Sequence, residues 1–392
     1  MNILVKIFGL VFPAFAAIIC ICFGKNIKFS QRYYIFYGFA LGGIGYTFFP
    51  KNTIDYVRYI EQINYISSSG SLFDVFISDP EKLFFRDVVF YFIGQINNNQ
   101  LLAVLVATVT YSIVSYVFFD TINNTNKKLT IKINTLTAFI VFIISISTVS
   151  IFTVISLTRN ILCFSVMFLG LYLEIIKKKR TLSYAIYVLM LFFHHSAFIF
   201  IIARILILII KINIIYLITP LIFIVMLYLL SMMNIDGASE NFLLIILRRI
   251  LGYWENNTQG WGKEMFKYYS ETFDFFYQVA FTFINTSLLL RTKNGENNEL
   301  VRFCFIINLI AISTIFINPG VFSRFVALQS LFFVVVYAQL KINGFDKISC
   351  VVFYILCGMS LLKITSNIIC YINFIDTTNF FEKYLLGGIA FM

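Results

Sequence analysis

Charge-free apolar runs recur along the whole chain, and they exclude most folds before any motif is read. They cover Ile7–Gly24, Tyr33–Pro50, Val88–Phe119, Ile133–Thr158, Ile212–Ile235, Phe303–Ser323 and Phe325–Leu340. Each is close to or above the ~18 residues that mark a membrane-spanning helix. The period-2 alternation of a β-barrel is absent, and backbone polar groups in hydrocarbon must be satisfied within the segment, so the runs read as helices. Only 12% of residues are charged and 60% are hydrophobic, whereas a soluble domain carries about a quarter charged. The expected fold is an all-α polytopic membrane protein with about 10–12 spans and two longer outer loops. The first run is too long for a signal peptide and lacks a small-residue cleavage site, so it reads as a retained helix.

The net charge of +11 needs no nucleic acid in such a chain, because lysines and arginines collect in cytoplasmic loops against anionic lipid. The 7 cysteines lie in or beside apolar runs without a CxxC pair and read as small core residues. With 2 histidines and no HExxH spacing, no metal site is expected. No P-loop, GxGxxG or GxSxG follows a strand pattern, which argues against ATP hydrolysis, dinucleotide chemistry and any cofactor.

Basic residues set the topology. Lys25, Lys28 and Arg32 mark one inner loop, Lys127, Lys128 and Lys132 a second, and Lys177–Arg180 a third. The connection over 50–99 lacks a basic bias and reads as a first outer loop with a surface helix, the latter over 83–96 with the charge pair Arg86–Asp87. Ser196–Lys211 has two readings: part of one long tilted helix, or one of a pair of short helices broken near His194–Ser196. If the chain returns inside at Arg204 and Lys211, then Arg291, Lys293, Arg302, Lys341 and Lys347 also fall inside, as the positive-inside rule favours. The connection over 234–270 then becomes a second outer loop, with an amphipathic helix at Asn241–Tyr253. The whole, residues 1–392, reads as a single integral membrane domain.

The stretch Thr158–Ser196 gathers polar chemistry in this apolar background. A helix rises about 1.5 Å per residue, so Arg159 to Lys177 covers roughly 27 Å and Arg180 to His194 roughly 21 Å. Arg159 and His194/His195 therefore fall near one membrane face. Arg159 is either a snorkelling helix-end cation or a bidentate phosphate binder. Consecutive helical positions differ by about 100°, so at most one of His194 and His195 faces a given cavity, as general base or phosphate donor. The plain alternative is a hydrogen-bonded core histidine. Arg324, after the Asn318–Pro319–Gly320 turn, is weighed like Arg159 and falls at the outer end if Lys341 is inside. Asp55, Arg58 and Tyr59 share about one helical turn, where a surface Asp55–Arg58 pair is the ordinary reading. Trp254 and Trp261 belong to an aromatic belt or offer indole faces to a sugar.

The segments NTIDYVRY, DPEKLFFRDVVFYFIG, the TRN helix and LFFHHSA give the chain a resemblance to the EpsG-like and Wzy-type bacterial polysaccharide polymerases, which include O-antigen polymerases. The likeness covers roughly the first half. Arg159–Asn160 stands where the family has Arg-Gln, and Asp79–Pro80–Glu81 reverses the usual Glu-Pro order. The resemblance implies metal-independent glycosyl transfer at the outer face of a bacterial inner membrane, from undecaprenyl pyrophosphate onto an incoming lipid-linked repeat unit. It implies Arg159 and Arg324 on pyrophosphate, His194 or His195 on the acceptor or the phosphate, Asp55 and Tyr59 near sugar, and a chain-length regulator as partner. An O-antigen ligase, a lipid-linked oligosaccharide flippase and a polysaccharide O-acetyltransferase are the competing classes.

Overall fold

The computed structural model describes residues 34–48, 55–68, 71–78, 83–210, 269–291, 296–315, 319–344 and 347–372. These residues form helices, without a strand among them. The chain opens with α1 (Tyr34–Gly45), then three elements on one end of the molecule, α2 (Asp55–Ser68), α3 (Leu72–Ser78) and α4 (Phe84–Gln95). It then enters α5 (Gln100–Lys128), α6 (Thr135–Thr148), α7 (Ile151–Ser156), α8 (Thr158–Ile175), α9 (Arg180–Leu191) and α10 (Ala197–Ile209). The second half supplies α11 (Tyr269–Arg291), α12 (Glu296–Ile315), α13 (Pro319–Ser330), α14 (Phe333–Asn343) and α15 (Lys347–Ile372).

Three segments are long and apolar enough to cross a membrane: α5, the α6–α7 pair over Thr135–Ser156, and α8. The pair Arg324–Ser330 and Phe333–Asn343 passes the same test as one span bent by 47°. The protein is thus an all-α polytopic membrane protein. The expected runs Ile7–Gly24 and Ile212–Ile235, and nearly all of the 234–270 loop, lie outside the described residues.

α5 forms the axis, packed by α1, α6, α7, α8 and α14. Association of helices in lipid relies on close van der Waals approach, which favours small residues. The segment GFALGGIG on α1 supplies it. A Cβ on Gly38 would collide with Ser112 Oγ and with the Thr108 carbonyl oxygen, and one on Gly42 with Thr108 Oγ1. Helix ends use side-chain caps: Asn134 accepts from the Thr137 N–H at 2.7 Å, starting α6, and Ser150 from the Thr153 N–H at 3.5 Å, starting α7. The bend between α13 and α14 has no proline. There the N–H groups of Leu331 and Phe332 turn back to the carbonyls three residues earlier, Leu328 and Gln329, and tighten the ladder.

The path after His195 is a broken pair, not one long helix. α9 ends at Leu191, and α10 starts at Ala197 and runs back beside α8. Arg204 on α10 meets Glu174 on α8, with Nη2 2.8 Å from Oε1 and Nε 3.0 Å from Oε2. Tyr187 donates to the same carboxylate at 2.8 Å, and Glu299 on α12 pairs with Arg204 at 2.8 Å. Nearby Asp120 accepts from Lys177 at 2.6 Å and from Tyr172 at 2.5 Å. Ser287 on α11 lies 3.1 Å from Ser349 on α15. With Lys127 on the last turn of α5, Lys177 and Arg204 lie toward one end. We refer to it as the basic end.

Candidate functional site

At the opposite end the chain brings together five of the residues singled out in its sequence. Arg159, second residue of α8, places its guanidinium 4.5 Å from the centroid of the Tyr59 ring and its Nη1 3.5 Å from Gln62 Oε1. The Tyr59 ring is buried, so α2 offers Arg159 a fixed π platform. Arg324 on α13 donates through Nη2 to Asp55 Oδ2 at 3.4 Å. Asp55 Oδ1 also lies 3.5 Å from Arg58, whose side chain is 67% exposed. The expected i,i+3 pair thus forms, and it is joined by an arginine from the other half of the chain. One amphipathic helix, α2, holds both inward guanidinium groups: its Tyr59 and Gln62 engage Arg159, and its Asp55 engages Arg324. Its buried stripe, Tyr56, Tyr59, Ile63 and Ile66, is the spacing that turns these residues toward the bundle.

His194 lies in the turn joining α9 to α10, outside the spanning helices. Its Nδ1 is 2.7 Å from Ser196 Oγ and accepts the Ser196 backbone N–H at 3.1 Å. That bond satisfies one of the unpaired donors at the start of α10. Ser196 Oγ is in turn 3.9 Å from Cys163 Sγ. Cys163 follows Arg159 by one helical turn, about 6 Å, so the histidine turn sits one turn deeper than the arginine. Burial, followed by the charges of Arg159, Arg324, His195 and Arg86, holds the His194 imidazole well below the ordinary histidine value of 6.5. His194 feels both guanidinium groups.

Arg86 and Asp87 belong to the same neighbourhood. They do not lie on the outer face of the surface helix: Arg86 Nε and Nη2 donate to Asp87 Oδ1 at 2.8 and 2.7 Å, and both side chains are buried. The exposed face of α4 carries Phe84, Phe92 and the following Ile96. The N–H groups of Phe85 and Arg86 donate to the Phe192 carbonyl at 3.0 and 3.3 Å, which seats the start of α4 on the turn that carries His194. The signal was present in the spacing, because Arg86, Phe90 and Ile93 share one helical face. Beside this junction α4 and α9 enclose an open apolar groove of about 660 Å³, lined by Phe84, Phe85, Val88, Tyr184, Val188 and Phe192 among others.

Trp254 and Trp261 lie outside the described residues. His195 is half-buried and borders His194 in the same turn. No group of three or more metal-ligating side chains occurs among the described residues.

Fold and site together define a helical membrane protein with a recessed cationic cluster, two guanidinium groups above an imidazole, at the end remote from its basic loops. The chain matches no family model, no curated protein and no solved structure.

Proposed function

We propose that the protein is a polysaccharide polymerase, a metal-independent glycosyltransferase of the EpsG-like and Wzy type in the bacterial inner membrane. It moves a glycan from undecaprenyl pyrophosphate onto the terminal sugar of an incoming lipid-linked repeat unit at the outer face. The observation that carries this reading is the convergence of Arg159 and Arg324, from opposite halves of the chain, on one helix beside His194. A departing pyrophosphate gains negative charge, and preorganised cations away from bulk water stabilise that charge in the transition state. Guanidinium groups keep their proton under all working conditions and bind phosphate oxygens in a bidentate manner. An outer position for the cluster is supported by its placement at the end opposite the basic residues, which the positive-inside rule puts inside.

In this reading Arg159 and Arg324 bind the pyrophosphate, His194 or His195 serves the phosphate or the acceptor, and Asp55, Arg58 and Tyr59 order the arginines and border the sugar. A chain-length regulator is the expected partner. Deletion of the gene followed by sizing of the surface glycan tests it. A polymerase mutant displays single repeat units. Glycan stranded on the lipid carrier points instead to an O-antigen ligase, absence of outer glycan to a flippase, and full-length chains without acetyl groups to an O-acetyltransferase. In the same assay Arg159→Ala shortens or abolishes the chains at normal protein level; unchanged chains remove Arg159 from the site.

A further inference from the structure

The turn at the tip of the α9–α10 pair decides between the two roles open to its histidine. A backbone N–H is always a donor. The Ser196 N–H points at His194 Nδ1 from 3.1 Å, so Nδ1 is the acceptor of that bond and carries no proton. Ser196 Oγ reinforces the arrangement, because its hydroxyl lies 2.7 Å from the same nitrogen and can turn its proton there from the long 3.9 Å contact with Cys163 Sγ.

A neutral imidazole has one bare nitrogen and one protonated nitrogen. From this we infer that Ser196 locks His194 as the Nε2–H tautomer, and that His194 works in the site as a fixed hydrogen-bond donor, not as the general base. Its single basic nitrogen is already engaged within the turn. The nitrogen that remains for a ligand has a proton to give and none to take. Burial and the nearby Arg159, Arg324, His195 and Arg86 keep the ring in this neutral form at neutral pH. Ser196 is a positioning residue in this scheme: its N–H and hydroxyl fix both the tautomer and the ring plane, as a carboxylate or carbonyl does for many functional histidines.

The ligand class follows from the surroundings. A neutral donor placed below two guanidinium groups suits an anionic oxygen acceptor, here the pyrophosphate, and not the hydroxyl nucleophile. That last assignment rests on the glycosyl-transfer reading, whereas the tautomer does not.

Two measurements separate them. Ring-¹⁵N histidine is incorporated into the full-length His195→Gln protein, which leaves His194 as the single imidazole of the chain's 2 histidines. The nitrogen spectrum then shows a bare Nδ1 and a protonated Nε2, with a correlation between the Ser196 amide proton and Nδ1. Ser196→Ala, which keeps the backbone N–H, preserves that pattern. A protonated Nδ1, or no correlation to the Ser196 amide, overturns the lock. If His195→Gln does not fold, the difference between wild type and His194→Gln gives the same spectrum.

The second measurement is chain extension in cells. His194→Gln supplies an amide N–H near the place of Nε2–H and loses less than about tenfold, whereas His194→Ala loses about a hundredfold, the usual scale for removing a positioned proton-transfer or donor group. Equal loss in the two variants overturns the donor role. A locked tautomer in a protein whose deletion leaves the glycan unchanged keeps the lock, and removes the polymerase reading and with it the pyrophosphate as ligand.

Discussion

His194 is held neutral first by burial and then by cations that the sequence scatters widely. Its depressed value has a signed consequence for stability. In the unfolded chain the imidazole takes up a proton as pH falls through about 6.5, while in the folded protein it stays neutral. The unfolded state then binds more protons, so stability is greatest above the unfolded value and declines as pH falls toward the folded one. Thermal unfolding in detergent between about pH 7 and pH 5 is expected to show this decline, and His194→Gln is expected to flatten it.

Arg204 and Arg58 make a second contrast at the same scale. Arg204 is 9% exposed at its side chain and serves two carboxylates, whereas Arg58 is 67% exposed. Arg204→Ala leaves Glu174 buried without its cation and is expected to cost about 3–5 kcal/mol. Arg58→Ala is expected to cost about 0–1 kcal/mol. Replacing Arg204 and Glu174 together by Met and Leu should recover most of the loss in the same unfolding assay, since the deeply buried charge is gone and the carboxylate left over, Glu299, is 35% exposed. Arg159, Arg324 and His194 were legible because each interrupts an apolar run. The surface helix expected over 83–96 gives no sign by itself of which face its charge pair takes; the helical face that Arg86 and Asp87 share with Phe90 and Ile93 is what marks their burial.

At the scale of elements, the close contact of α1 with α5 depends on missing side chains. Gly42→Ala places a methyl group against Thr108 Oγ1, with the Thr108 Cβ at 3.0 Å. Overpacking of this kind costs about 1–3 kcal/mol. Thr108→Ala removes the clashing oxygen, so Gly42→Ala with Thr108→Ala is expected to be more stable than Gly42→Ala alone, a coupling that a double-mutant cycle of unfolding midpoints reads directly. The glycine spacing was in the sequence, but its partner was not: which helix receives a small-residue face depends on the fold. The break at Phe192–Ser196 was legible only as one of two alternatives. Nothing in HHSAFIFIIAR forbids a continuous helix. What stops it is one tertiary and one local contact: the Phe192 carbonyl accepts two α4 N–H groups, and the His194 side chain takes the Ser196 N–H two residues on.

For the whole molecule, the positive-inside rule assigns sidedness from the distribution of cations, an assignment that labelling tests. Arg204, paired with Glu174 and Glu299, comes to the end marked by Lys177, an arrangement that the positive-inside rule favours for an inner face. Single cysteines at Asn97 and Lys178, both at turns with positive φ, are expected to react with an impermeant thiol reagent from opposite sides of sealed vesicles. Labelling of both from one side contradicts the shared orientation of α5 and α8 between them.

The short arms of the α9–α10 pair carry a consequence for the surrounding lipid. With 12 and 13 residues they reach about 18–20 Å, against a hydrocarbon core of about 30 Å. The pair leaves from and returns to the basic end, and α9 with the turn after it exposes Leu182, Tyr184, Val188 and Phe192. Hydrophobic mismatch therefore falls on one flank of the protein, where lipid must thin locally or the tip must be covered by α4. Amide exchange at 192–196 is expected to quicken as the host bilayer is made thicker, while exchange in the middle of α5 stays constant. The depth of the histidine turn, fixed by α4 resting on it, is then a quantity that membrane thickness itself can tune.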